Sequence, residues 1–289
     1  MALRGPQGFD AYYGAAFGEE WARLRTALLD RPAPVARLNG FATALAPEPN
    51  AEVVGVPGCR RYDGGNPDRD EAGLVRYYVL DAASVWAALS LDVEAGERVL
   101  DLCAAPGGKA LILAESLGAA GELVANDRSP SRAQRLRRVL EDYLPPSLRA
   151  RVTVTQRDGR RWGVSQPGGF DAVLLDAPCS SERHVVAAPA ELAKWSAGRV
   201  ARLVQDQYAL LTSALLAVRS GGRVLYCTCA LAPAENDGVI ERLLERGRHR
   251  AEPLPVALPV GAPTRYGWQM LPHRDGCGPL YLSRLLKLP

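Results

Sequence analysis

VLDLCAAPGGKA, residues 99–110, runs from a short apolar stretch into two glycines and then into helix-forming residues. That is a strand, a tight turn and the start of a helix. Gly107 and Gly108 carry no side chains, so backbone amides there can approach a ligand, and the helix N-terminus favours the ligand's negative part. The turn is neither the dinucleotide fingerprint G-x-G-x-x-G nor the phosphate loop G-x-x-x-x-G-K-(S/T), because Cys103 and Ala110 occupy required positions.

The same rhythm continues on either side. RVLDLC, GELVAND, RVTVTQ, FDAVLLDAP and GRVLYCT are short apolar runs, separated by helical patterns over 108–117, 130–143 and 199–219 and followed by one over 233–246. Alternating strands and helices predict a mostly parallel sheet covered on both faces. The helical stripes agree, with Ala133, Leu136, Leu140 and Tyr143 on one face and Val200, Leu203, Leu211 and Leu215 on another. GWQML and PLYLSRLLK flank a PHRDGCG turn and predict a C-terminal antiparallel hairpin. Upstream, Tyr13, Phe17, Trp21, Leu24 and Leu28 recur at helical spacing, which predicts one amphipathic helix over about 10–30. A stretch rich in proline, glycine and charge from Ala46 to Gly73 reads as a long loop or lid, and Asp81 as the cap of a short helix. The chain divides into an N-terminal helical extension with its loop, 1–72, and an α/β domain, 73–289.

Acids end consecutive strands of this domain: Asp127 after the second, Asp158 after the third and Asp176 after the fourth. Each alone is an ordinary cap or turn residue. Together they line the carboxyl edge where open parallel sheets bind ligands, and Asp127 stands where an acid can accept both hydroxyls of a ribose. A ligand with a ribose and a positive centre but no pyrophosphate suits this edge, namely S-adenosylmethionine.

Composition bounds the rest. The 289 residues, 47% of them hydrophobic, suffice for a core without covalent staples, and the net charge of +3 permits a polyanionic partner without demanding one. No apolar run approaches a membrane span, and the opening residues do not read as a clear transit peptide. Six cysteines spread along the chain argue for free thiols in a reducing compartment.

The cysteines at the sheet edge raise the chemical question. VLYCTCALAP, 224–233, and VLLDAPCSSERH, 173–184, would end side by side, bringing Cys229 and Cys179 to one crevice. A zinc site fails on ligand count and spacing, so no metal is expected. Burial as small hydrophobes suits Cys227 and Cys103. Nucleophilic catalysis suits Cys229, which lies past the apolar run. A thiolate added to carbon 6 of cytosine makes carbon 5 nucleophilic, and a second thiol, Cys179, can help release the product. A carboxyl such as Asp176 would stabilise charge as the thiol adds, on a base that is unpaired or flipped out.

DLCAAPGGK, ANDRSPSR, RDGRRWG, DAPCSSERH and TC followed by AENDGVI strongly resemble the Sun-domain family of RNA cytosine-5 methyltransferases. The likeness extends to FDAYYGAAFGEEW, YYVLDAAS and GPLYLSRLLK, nearly the whole chain. It implies a Rossmann-like S-adenosylmethionine-dependent methyltransferase fold, with Gly107, Gly108, Lys109, Asp127, Arg132, Asp158, Gly159 and Asp176 at the cofactor. It also implies Cys229 as nucleophile and Cys179 as release residue. Within the family the chain is most similar to the branch acting on mitochondrial small-subunit ribosomal RNA, with the mitochondrial transfer RNA branch next. That branch implies a mitochondrial location and a heterodimer with a mitochondrial transcription-termination-factor-like protein that supplies part of the RNA grip. The chain departs from the family at Cys227, where serine is usual, and at Ala230, where serine or threonine is usual. The segment after SSERH is also shorter than expected. A non-catalytic ribosome-assembly factor of the same fold is the alternative, disfavoured by two intact thiols; a nucleotide-dependent oxidoreductase is disfavoured by the missing glycine fingerprint.

Other features are ambivalent. Arg132, Arg135, Arg137 and Arg138 read equally as an RNA-facing stripe or a solvated helix face. His184 reads as a loop histidine, and Trp195 and Trp268 as packing residues before base-stacking ones.

Overall fold

The computed structural model describes residues 3–30, 32–43, 55–247 and 250–289. Its first helices are α1 (Gly5–Phe17) and α2 (Trp21–Leu29), joined by a 3-10 turn. The single helix expected over 10–30 is thus two, because Gly18 takes φ +55, which ends a helix at little cost for glycine. Three short strands follow: β1 (Val35–Leu38), β2 (Cys59–Arg61) and β3 (Tyr77–Leu80), in the antiparallel order β2-β1-β3. Part of the expected 46–73 loop, residues 46–54, lies outside the described residues; β2 is a difference from that reading. Three residues are too few for a strand period to show in sequence.

The α/β domain proceeds through α3 (Ala82–Leu89), β4 (Arg98–Asp101), α4 (Gly108–Ser116), β5 (Glu122–Asn126), α5 (Pro130–Tyr143), α6 (Pro146–Arg149), β6 (Val152–Thr155), α7 (Trp162–Ser165) and β7 (Phe170–Asp176). It continues with α8 (Glu182–Ala187), α9 (Pro189–Lys194), α10 (Ala197–Ala217), β8 (Val218–Thr228), α11 (Asp237–Arg246), β9 (Ala251–Leu254), β10 (Ala262–Pro263), β11 (Trp268–Met270), α12 (Pro272–Asp275) and β12 (Leu280–Lys287). The main sheet runs β10-β11-β12-β8-β7-β4-β5-β6, with β9 also paired to β12. Pairings from β8 to β6 are parallel, and β12 enters antiparallel between β8 and β11. The fold is therefore the expected one: a mostly parallel sheet between helices, completed by a C-terminal antiparallel hairpin. Asp81 caps α3 by accepting from the Ala83 amide at 2.9 Å.

Alternation along the strands sorts the core into two layers. Val99, Leu123, Ala125, Ala172, Leu174, Leu225 and Cys227 face α3, α4 and α5, while Leu100, Val173, Leu175, Val224 and Tyr226 face α10 and α11. A third cluster joins the N-terminal helices to the domain. Phe9, Tyr13, Trp21, Leu24 and Leu28 pack on Val185, Val186, Leu192 and Trp195, and on Leu231 and Ala232 just past β8. Trp195 is fully buried, its ring 5.4 Å from that of Phe9 and 6.0 Å from that of Tyr13. Trp268 donates its indole N–H to the Val260 carbonyl at 2.8 Å, so both tryptophans pack as expected. Truncating Trp195 leaves a cavity between α1 and α9. Trp195→Ala should destabilise the protein by about 3 kcal/mol in denaturant unfolding and expose α1 to limited proteolysis before the sheet.

Candidate active site

Parallel pairing of β7 with β8 sets Asp176 opposite Cys227, and the ladder extends one step further as the Ala177 amide donates to the Cys227 carbonyl at 2.8 Å. Two residues beyond, the Cys179 and Cys229 sulfurs lie 3.2 Å apart. Cys229 is exposed, Cys179 half-buried and Cys227 buried. The Ser181 hydroxyl lies 3.4 Å from the Cys229 sulfur and 3.6 Å from that of Cys179.

Buried polar groups hold both thiol-bearing loops. Gln207 donates to the Pro178 carbonyl at 3.0 Å and to Glu235 at 2.7 Å, and the Ser180 amide donates to Glu235 at 3.0 Å. Glu182 accepts from the Tyr13 and Ser180 hydroxyls and, at 2.9 Å, from the Leu231 amide. Asn236 holds the other loop: it accepts from Thr228 at 2.7 Å and donates to the Ala230 carbonyl at 3.0 Å. Sequence reading did not single out Glu182, Glu235 or Gln207 and placed Tyr13 only in a helical stripe, since no local pattern marks a polar group that will be buried by distant segments. Burial and then the charge of Glu182 push Glu235 up to about 7.

The two thiols behave as one titrating pair. The hydrogen bond from Cys179, and then that from Ser181, act against burial to hold Cys229 below the ordinary thiol range. The same hydrogen bond and burial hold Cys179 above it. A thiol held low is the readier thiolate, which makes Cys229 the candidate nucleophile of the two. Burial pushes Cys227 up as well, and its thiol approaches Asp176 at 3.6 Å, so it packs beneath the site.

Beside the thiols, Lys109 at the start of α4 reaches Asp176 at 2.7 Å and the Ser84 hydroxyl at 3.3 Å. Burial is the largest influence and disfavours its charge, but Asp176, Cys227 and Asp101 together outweigh burial and the ammonium is held charged. Below them Asp101 is 1% exposed, and neither carboxylate oxygen makes a well-formed hydrogen bond among the described residues. Burial, then the charge of Asp176, push it up to about 8.

Two cavities meet here. One, about 410 Å³, lies over the strand ends and is lined by Asp127, Arg132, Asp158, Gly159, Asp176 and both Cys179 and Cys229. Asp127 is buried and accepts from the Ser129 amide at 2.9 Å, with Arg132 3.2 Å away. Asp158 accepts from the Arg160 amide at 3.0 Å and is held below the usual carboxylate range chiefly by the Arg160 guanidinium. Cys103 is half-buried: it packs against the core as its type suggested and also lines this cavity. Gly107, at φ +123, caps α4; a β-carbon there would meet Val139 at 3.0 Å and Leu136 at 3.1 Å, so α5 packs against it. Gly108 and Lys109 border a smaller recess with Asp101 and Tyr78. The second cavity, about 630 Å³, includes Leu28, Leu29, Ser84, Lys109 and His184. Asp176, Ser181 and Cys229 line both. A ligand in either cavity would thus border Cys229 and Asp176. Arg132, Arg135, Arg137 and Arg138 are all exposed on α5. Among the described residues no group of His, Cys, Asp and Glu is placed to hold a metal ion, and no helix is long and apolar enough to cross a membrane.

Residues 88–286 match the family described as 16S rRNA methyltransferase RsmB/F. The chain belongs to this family, the Sun-domain methyltransferases. It is 33% identical over 282 residues to the 5-cytosine rRNA methyltransferase NSUN4 of Bos taurus, spanning 83% of this chain and 73% of the relative. It is 37% identical over 266 residues to the mitochondrial tRNA (cytosine(34)-C(5))-methyltransferase of Danio rerio, spanning 82% and 71%. The crystal structure of NSun6 from Pyrococcus horikoshii with SFG has the same fold, with a TM-score of 0.74 at 18% identity over 96% of this chain and 97% of that one. The Sun-domain chain is thus an S-adenosylmethionine-dependent RNA cytosine-5 methyltransferase.

Asp101 gives a pH test of the site's electrostatics. Its carboxyl stays protonated in the folded protein up to about pH 8 and ionises near 4 in the unfolded chain, so unfolding releases a proton between these values. The stability it contributes is full below about pH 4 and is lost as pH rises toward 8. Asp101→Asn, which cannot ionise, should flatten the fall in denaturation midpoint across that window relative to wild type.

Proposed function

We propose that the enzyme methylates carbon 5 of a cytosine in mitochondrial small-subunit ribosomal RNA, during assembly of the mitochondrial ribosome, through a covalent adduct at Cys229. The observation that supports this most is the position of Cys229 at the seam of the two cavities, with a companion thiol 3.2 Å away. The 410 Å³ cavity has the size of a small-molecule site and the donor set for a ribosylated sulfonium. Asp127 would accept the ribose hydroxyls, Asp158 and Gly159 would border the adenine, and Arg132 would orient Asp127. Gly107, Gly108 and Lys109 would present the α4 N-terminus to the donor's carboxylate. S-adenosylmethionine supplies an electrophilic methyl group.

On the other side, Asp176 would accept from the exocyclic amine of the flipped cytosine, with Lys109 beside it to stabilise charge gathering on the ring. The Cys229 thiolate forms a bond to carbon 6 and the ring's electrons become available at carbon 5. Once Cys229 is a neutral thioether its charge no longer holds the Cys179 proton. Cys179 loses that proton to water and, as thiolate, takes the proton from methylated carbon 5 while the carbon–sulfur bond breaks and the ring double bond returns, leaving Cys229 as thiolate. We read residues 1–72 as the extension that walls the base cavity and 73–289 as the methyltransferase domain. The modest net charge of +3 supports an RNA grip shared with a second protein, and by likeness to its branch we propose a mitochondrial transcription-termination-factor-like partner and a mitochondrial location.

Cys229→Ala should bind S-adenosylmethionine normally and lower methyl transfer to RNA at least a thousandfold, whereas Cys179→Ala should accumulate a denaturation-resistant protein–RNA adduct. Bisulfite sequencing of mitochondrial RNA with and without the protein should show the modified cytosine in small-subunit ribosomal RNA. The loss of a transfer RNA site alone would assign the enzyme instead to the activity named for its zebrafish relative.

A further inference from the structure

Ser181 is the residue at this site whose backbone is least expected. It takes φ 53 and ψ 58, the left-handed region that disfavours residues with a β-carbon. Strained conformations of this kind gather at functional sites, where the surrounding structure holds them in place. Here the bend carries the chain from Cys179 into α8, and the hydroxyl comes within 3.4 Å of the Cys229 sulfur and 3.6 Å of the Cys179 sulfur. Its remaining contact, to the Cys179 carbonyl, is long at 3.5 Å.

The neighbouring hydroxyls are committed elsewhere. Ser180 donates to Glu182, while Thr228 donates to Asn236 at 2.7 Å and accepts from the Ala230 amide at 3.1 Å. Residue 230, next to the nucleophile, is an alanine and offers no hydroxyl. A thiolate with few donors is destabilised in a half-desolvated crevice, and a hydrogen bond to a charged group is stronger than one between neutral groups. Ser181 also lines both cavities, so its hydroxyl sits where the donor, the base and the two sulfurs meet.

We propose that Ser181 is a third catalytic residue, its hydroxyl donating to the Cys229 thiolate while its left-handed backbone holds Cys179 alongside. The hydroxyl stabilises the anion in the resting enzyme. When Cys229 bonds to carbon 6 its sulfur becomes a weak acceptor, and the Ser181 hydroxyl is freed toward Cys179. There it stabilises the thiolate left once Cys179 has lost its proton to water, the group that next receives the carbon 5 proton. This rests on the assignment of Cys229 and Cys179 made above.

The test separates the hydrogen bond from the backbone strain. Ser181→Gly removes the hydroxyl and relieves the strain, whereas Ser181→Ala removes the hydroxyl and keeps it. The pH dependence of Cys229 alkylation by iodoacetamide, read by peptide mapping of the intact enzyme, reports the thiolate directly. Both variants should shift its midpoint upward by about one pH unit and lower methyl transfer at neutral pH about tenfold, in proportion to the lost thiolate. An unchanged midpoint in both, or a shift in Ser181→Ala alone, would overturn the proposal. Because alkylation does not depend on turnover, failure of the nucleophile assignment shows separately, as full methyl transfer by Cys229→Ala.

Discussion

The parallel pairing of β7 with β8 is the constraint on which the site depends. Side chains on a strand alternate between faces, so a one-residue slip in this pairing would exchange the two layers of the core. The register that buries Val173 and Val224 against α10 also sets Asp176 beside Cys227. From there each strand needs only two further residues to reach its reactive sulfur, and the amide of Ala177 keeps the exits in step. β12 contributes from the other side: it pairs with β8 along Arg223–Thr228, which keeps the strand that carries Cys229 from being a sheet edge. The position of the thiols thus follows from the same burial that stabilises the sheet.

Charge at the strand ends is arranged around one lysine. Asp101, Asp127 and Asp176 lie close enough for their charges to act on one another, and Lys109 is the cation buried among them. Three ionised carboxylates with one ammonium would be costly in a part-desolvated cleft. The structure resolves this by pairing Asp176 with Lys109, leaving Asp101 protonated at neutrality, and tying Asp127 to Arg132 and the Ser129 amide.

The strand–helix order, the hairpin and the acids at the strand ends were legible because each rests on local pattern: apolar runs of strand length, helical stripes and turn residues at the junctions. The closeness of Cys179 and Cys229 was legible too, since adjacent parallel strands of known polarity must end together. What sequence did not show depends on segments far apart in the chain. β2 is too short to carry a period, the break at Gly18 interrupts an otherwise continuous helical stripe, and Cys103, which packs against the core as its type suggested, also forms part of a cavity wall. Glu182 and Glu235 carry no local mark of burial, yet both are fully buried. Their partners come from α1, α10 and the loops after β7 and β8, and no window along the sequence contains them together.

Glu182 shows why the N-terminal extension and the catalytic loops form one unit. A buried carboxylate costs least when its oxygens are hydrogen-bonded, and those of Glu182 are satisfied by Tyr13 from α1, Ser180 beside Cys179 and Leu231 beyond Cys229. If any one of these segments withdraws, the carboxylate is left partly unsatisfied in an apolar surround made by Phe9, Trp21 and Trp195. The penalty falls on the contact between the two thiol-bearing loops, because Glu182 bridges them. Docking of α1 is thereby coupled to the separation of the sulfurs. The adjoining α2 supplies Leu28 and Leu29 to the wall of the 630 Å³ cavity, so the extension both shapes that cavity and holds the thiol-bearing loops beside it.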